Sequence, residues 1–187
     1  MKPSVKIDLL SDEDLVTEIV KTKESILFAE LYDRYAPIVY NKCLSFANSK
    51  VEAEDLTHDI FIKLYMKLNT FKGASKFSTW IYSFTYNFCV NYVQRNSYKT
   101  REKVQEVDIK EDSFDEVDDY EFFQLKAKKL KKVLAVIDPK DKMILLLKYQ
   151  DELSIKEIQT ILEVSESAVK MRLKRAKGKV MEIYKKL

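Results

Sequence analysis

The sequence predicts an all-α protein made of two small helical domains joined by an acidic flexible linker, the second containing a helix-turn-helix. Three observations carry that expectation. Just 2 Gly and 3 Pro stand among 187 residues, whereas a sheet protein of this size draws on Gly, Pro and Asn-Gly pairs for its many tight turns. Apolar residues recur every three or four positions, the period of a helix with one buried face. Charge is unevenly spread: residues 1–101 carry net +2, residues 102–121 net −8 and residues 122–187 net +9. A basic body behind an acidic segment calls for a polyanion partner on one part and a cationic surface for the other.

The elements follow in order. Ser11-Asp12-Glu13-Asp14 is a helix start, a Ser cap with acids in the first turn, leading into Leu15, Ile19 and Val20. A second helix runs from about Glu24 through Leu27, Leu31 and Tyr35, and Pro37 is expected to kink or break it before Val39, Cys43 and Phe46. From Val51 the residues Leu56, Ile60, Leu64 and Leu68 recur every four positions, with Glu52, Glu54, Asp55 and Asp59 crowding the early turns. The stretch "FKGASK" around Gly73 reads as a loop, and Trp80, Ile81, Phe84, Phe88 and Tyr92 mark a helix over roughly 78–96. Periodicity then lapses into the acidic run of 97–121, expected to be extended or disordered when free. The domains are therefore drawn as 1–96 and 122–187, with 97–121 as linker.

In the second domain a helix through Leu130, Val133, Leu134 and Ile137 is stopped by Asp138-Pro139, and "KDKMILLLKYQ" forms a short buried helix. Ser154-Ile155-Lys156-Glu157 is a capping box that starts the next. Ser165 or Ser167 can cap the last helix, whose stripe Val169, Leu173, Ala176 and Val180 is spaced four, three and four. Two helices joined by a turn of about three or four residues, the second with a narrow apolar stripe and a wide basic face, suit a recognition helix in the DNA major groove. Lys170, Lys174 and Lys177 lie on one line with Arg172, Arg175 and Lys179 beside them, so several phosphates are within reach at once. The same face has a plainer reading as a solvated surface. Insertion into a membrane is disfavoured because the stripe lacks bulky aromatic residues.

At these residues the chain resembles a known family. "LSIKEIQTILEVSESAVKMRLKRAKGKV" looks like the region 4 helix-turn-helix of bacterial sigma factors of the sigma-70 family. "EAEDLTHDIFIKLYMKL" resembles region 2.2, and "FSTWIYSFTYNFCVNYVQR" regions 2.3 and 2.4, of the group 4 or extracytoplasmic-function (ECF) type. The resemblance implies a transcription initiation factor that binds core RNA polymerase, directs it to promoter DNA and assists melting. It implies polymerase docking by Asp55, Leu56, Asp59 and Lys63, although the carboxylates also suit a helix start. It implies contacts to the −10 element by Gly73, Lys76, Phe77, Ser78, Thr79, Trp80, Tyr82 and Asn87, with Trp80 either a base-stacking face or core. Contacts to the −35 element fall on Ser167, Lys170, Met171, Arg172, Lys174 and Arg175. The −8 linker is implied to thread the polymerase cleft as an RNA mimic, against the alternative of a tether without such a role.

Departures from the family pattern bear on partners. Ser83 and Tyr86 stand where arginines are common, Ala168 replaces Thr, Met171 replaces a small polar residue and Glu163 replaces the turn glycine. Promoter recognition is then relaxed, shifted, or dependent on a recruiting protein, alongside any anti-sigma factor. With no Gly-rich phosphate loop or catalytic His-carboxylate pair, the chain is expected to be neither an enzyme nor a cofactor or metal binder. Cys43 and Cys89 read as reduced core thiols of a cytoplasmic protein. The competing class is a free-standing helix-turn-helix regulator that binds duplex DNA without polymerase.

Overall fold

The computed structural model describes residues 7–99, 119–123, 125 and 127–187. Within them lie nine α-helices, the fold class expected, and two compact units, residues 1–91 and 92–187.

The first unit opens with a 3-10 turn at Ile7–Leu9, followed by α1 (Asp12–Thr22), α2 (Ser25–Phe46), α3 (Lys50–Lys67), a 3-10 turn at Leu68–Thr70, and α4 (Phe77–Lys99), which runs on past the unit's limit. Ser11 caps α1 by accepting from the Asp14 amide, as its sequence signature requires. The four-residue ladder Leu27, Leu31, Tyr35, Val39 and Cys43 puts one side of α2 in the core. Facing it, Leu56, Ile60, Leu64 and Leu68 are all buried.

Of the two outcomes expected at Pro37, a kink or a break, the break does not occur: α2 runs through it from Ser25 to Phe46. Proline removes one N–H and frees the carbonyl four residues back. Here that carbonyl belongs to Asp33, and both Asp33 and Pro37 are exposed, so the lost bond does not strand a polar group in the core.

The second unit contains α5 (Asp119–Phe123), α6 (Ala127–Val136), α7 (Pro139–Leu145) continued by a π-helical turn at Leu146–Gln150, α8 (Ile155–Leu162) and α9 (Glu166–Lys186). Asp138 caps α7, with Pro139 at the first helical position, where its missing N–H costs nothing. The stripe Val169, Leu173, Ala176 and Val180 is buried, and α6, α7 and α8 all pack against α9.

Both ends of the expected linker are helical, since α4 continues to Lys99 and α5 starts at Asp119. The acidic stretch between them, residues 100–118, lies outside the described residues. Phe122 explains α5: it is buried against Tyr149 with ring centroids 5.0 Å apart, which anchors a helix too short to persist alone. No helix among the described residues is long and apolar enough to cross a membrane.

Candidate polymerase and nucleic-acid interfaces

Helix α3 begins at Lys50, capped by Ser49, whose hydroxyl accepts from the Glu52 amide at 3.1 Å. Asp55 and Asp59 therefore sit in the second and third turns, beyond the one turn over which the helix dipole acts. Both are exposed, and no ion pair or hydrogen bond among the described residues holds either carboxylate. Ile62 and Met66 continue the same stripe at i+7 and i+11 from Asp55, and they are 61% and 74% exposed.

Leu56 does not belong to this face. It is 3% exposed, a rung of the core ladder, and one side chain cannot serve both. Lys63 lies at the stripe's edge with Nζ 4.6 Å from the centroid of the Phe88 ring. The acidic positions on α3 were legible in the sequence. Ile62 and Met66 were missed, because only packing tells an apolar residue left outside from one turned inward.

The loop 71–76 carries Gly73 at φ 69°, in the left-handed region. Nothing lies within 4 Å of a Cβ placed there, so backbone conformation alone favours glycine. Phe71 packs edge-on against Phe77 at 5.3 Å and lies 5.8 Å from Trp80, which stacks on Phe84 at 5.6 Å.

Trp80 is half-buried, joining the aromatic cluster without being enclosed by it. Phe77 is fully buried and presents no face to a base, which corrects its place among the stacking candidates. Its edge meets Tyr35 and its plane tilts against Trp80, so it supports the tryptophan from beneath.

Lys76, Trp80, Ser83 and Asn87 fall at i, i+4, i+7 and i+11 on one side of α4, with Thr79 adjoining. Ser78 and Tyr82 fall on another side, where the buried Lys42 Nζ sits 5.3 Å from the Tyr82 ring centroid. Tyr86 is 9% exposed, so it fills core volume where arginines are common in the family.

In the second unit the capping box forms as read, with Ser154 Oγ accepting from the Glu157 amide at 3.3 Å and Glu157 accepting from the Ser154 amide at 2.8 Å. Glu163 ends α8 in the left-handed conformation, φ 52° and ψ 43°, doing a glycine's work with a side chain attached. Of the two candidate serines, Ser165 is the cap of α9, and its hydroxyl accepts from the Ala168 amide at 3.3 Å.

Ser167, Met171 and Lys174 lie along the middle of the exposed face of α9, flanked by Lys170 and Arg175, with Arg172 at its margin. Met171 is 52% exposed at the centre of that face.

The cations are not equally available. Lys177 Nζ is 2.9 Å from Asp119, whose carboxylate also accepts from Tyr149 Oη at 2.6 Å. Lys179 Nζ is 2.8 Å from Asp141. The line of lysines read from sequence thus loses Lys177, and Lys179 faces α7. Lys170 makes only an exposed i,i+4 pair with Glu166, which is worth little. Arg172, Lys174 and Arg175 have no ion-pair partner among the described residues. The Tyr149 hydrogen bond and then Lys177 hold the Asp119 carboxyl below its ordinary range, while burial and that same hydrogen bond push Tyr149 up.

An all-α chain with an acidic and apolar helical face in one unit and a helix-turn-helix with open cations in the other is a protein built to join a macromolecular partner to nucleic acid. Comparison with known proteins gives the family. Sigma-70 region 2 matches residues 31–98, and Sigma-70, region 4 matches residues 127–180. The ECF RNA polymerase sigma factor SigW of Bacillus subtilis is 29% identical over 167 residues, 84% of this chain and 89% of the relative. The ECF RNA polymerase sigma-E factor of Escherichia coli is 29% identical over 178 residues, 90% and 91% of the two chains.

Two solved structures share the fold. CnrH in complex with the cytosolic domain of CnrY has a TM-score of 0.61 at 18% identity, covering 94% of this chain and 97% of that chain. The sigma factor RpoE with the anti-sigma factor NepR from Bartonella quintana has a TM-score of 0.59 at 18%, covering 84% and 96%. The chain belongs to the sigma-70 family, and within it to the ECF type. It is a transcription initiation factor of RNA polymerase, neither a free-standing regulator nor an enzyme.

Proposed function

We propose that this sigma factor docks on core RNA polymerase through the α3 face of Asp55, Asp59, Ile62 and Met66, with Lys63 at its edge. The observation that carries the reading is the pair of unneutralised carboxylates in the second and third turns of α3, alongside two exposed apolar side chains. The dipole explanation fails for carboxylates so far from the helix start. Solvated acids alone leave Ile62 and Met66 unexplained.

In the same reading the loop around Gly73, with Lys76, Thr79, Trp80 and Asn87, receives the unpaired −10 strand. A half-buried indole braced by Phe77 and Phe84 is a rigid stacking surface, and a stacked base is worth about 1–3 kcal/mol. Ser78 and Tyr82 contribute from the adjoining side. Helix α9 meets the −35 duplex with Ser167, Lys170, Met171, Lys174 and Arg175, and with Arg172 at the margin. The thioether of Met171 suits apolar contact with a thymine methyl, in place of the usual small polar residue.

The chain acts in the cytoplasm with the polymerase, under an anti-sigma factor or a recruiting protein that compensates for the altered −35 face. Binding of the Asp55→Lys/Asp59→Lys double variant to core polymerase tests the docking face. Both sites are exposed, so the thermal midpoint should hold while affinity falls at least about tenfold, as expected for reversed charges at a matched interface. Undiminished binding refutes the assignment.

A further inference from the structure

Of the three first-turn acids of α1, only Asp14 stays local, its carboxylate accepting from the hydroxyl of the cap residue Ser11 at 2.7 Å. Asp12 turns to α2, where Oδ1 accepts from Arg34 Nη1 at 2.9 Å and Oδ2 from Tyr35 Oη at 2.5 Å. Glu13 reaches farther still. Its Oε1 accepts from the backbone amide of Phe77 at 2.8 Å, across 64 residues of sequence.

That amide is the first of α4 and closes the loop 71–76. The first four N–H groups of a helix have no partner within it. That of Thr79 turns back to the Lys76 carbonyl at 3.0 Å, beside the regular bond from Trp80 at 3.2 Å, while that of Phe77 is satisfied from outside by α1. The Phe77 ring is held too, edge-on to Tyr35 at 5.4 Å, and Tyr35 is tied to Asp12. Arg34 locks the assembly by donating to Glu30 at 2.7 Å and to the Leu10 carbonyl at 2.9 Å. Backbone and ring of the residue that ends the loop are therefore both clasped by α1 and α2.

We propose that Glu13 is a positioning residue for promoter melting: it holds the start of α4 so that the loop 71–76 and Trp80 stand preformed for the displaced strand. This rests on the reading of that loop as the −10 strand receiver. Capturing a flipped base requires unpairing it, and a preformed receiver does not also incur its own ordering cost on binding. The carboxylate has a second effect. A bare helix N-terminus attracts anions, and with Glu13 seated there phosphate is directed instead to Lys72 and Lys76, both exposed. Helix α1 lies before residue 31, where the match to Sigma-70 region 2 begins, so that match does not account for Glu13.

The test uses the full chain with core polymerase on a linear promoter mapped from its own transcript starts. Strand opening is followed by permanganate reactivity, alongside core affinity and thermal midpoint, and the same promoter is also offered with a pre-melted bubble. For Glu13→Ala, opening should fall about tenfold, the size of one lost charge-assisted hydrogen bond, with core affinity within about twofold and initiation restored on the bubble. Glu13→Gln keeps an acceptor oxygen without the charge and should recover part of the loss, to a defect of about threefold.

Unchanged opening in Glu13→Ala overturns the proposal, as do equal losses on duplex and bubble, a parallel loss of core affinity, or no recovery with Gln. Trp80→Ala separates this from the underlying reading. If Trp80→Ala also opens the duplex normally, the loop's assignment fails. If it is defective while Glu13→Ala is normal, only the role of Glu13 fails.

Discussion

Replacing Glu163 by glycine should stabilise the helix-turn-helix. Glu163 sits at φ 52° and ψ 43°, where a Cβ crowds the following carbonyl at a cost of about 1–2 kcal/mol. Glycine removes that cost but adds backbone freedom to the unfolded chain, which takes back about 0.4–1 kcal/mol. No hydrogen bond or ion pair of the exposed Glu163 side chain is lost with it, and the backbone N–H remains bonded to the Gln159 carbonyl. The net gain is about 0.5–1 kcal/mol, or roughly 2–8 °C in the melting temperature of a unit this small. Thermal unfolding of the full chain followed by circular dichroism reads it, with Glu163→Ala as control, because alanine keeps the Cβ. No rise in Glu163→Gly, or an equal rise in Glu163→Ala, would refute the argument from backbone conformation.

Other outcomes follow from the second unit. Lys174→Ala should reduce the slope of log affinity against log salt for promoter DNA by about 0.9, one phosphate contact, whereas Lys179→Ala should leave it unchanged, since Asp141 holds that ammonium. Equal effects in salt titrations of the holoenzyme would show that the two lysines face DNA alike. Phe122→Ala should cost about 3 kcal/mol in urea unfolding, as for a buried ring, and release α5. The Asp119 carboxyl is held below its ordinary value of 3.8, so its pairing stabilises the fold above that pH and is lost as pH falls through the lowered value. The stability difference between the wild-type chain and Asp119→Asn should therefore be constant near neutrality and vanish in strong acid, as pH-dependent urea melts would register.

Local chemistry was legible from the order of residues. The Ser11 and Ser154 caps, the four-residue ladder of α3 and the buried stripe of α9 each depend on neighbours within one or two turns, so the sequence exposes them, while the cap of α9 was narrowed only to Ser165 or Ser167. The family likeness rests on the same footing, because its motifs are runs of adjacent residues. Misjudged features turned on solvent access. Pro37 was expected to kink or break α2, and the helix runs on through it where both Pro37 and Asp33, whose carbonyl it orphans, are exposed. Leu56 and Phe77 carry the right chemistry for their proposed contacts and are spent on the core.

Most helices, their buried stripes and the caps at Ser11 and Ser154 came from the linear chain, because hydrogen bonds within a helix and the burial of its stripe are short-range in sequence. Which polar groups stay open to a partner was settled only by packing. Asp119 takes Lys177 from 58 residues away, Asp141 takes Lys179 from 38, and Glu13 takes the Phe77 amide from 64. No periodic pattern encodes such pairs. They form because buried stripes draw the helices together, and the charges at the edges then meet whichever partners the packed helices bring within reach.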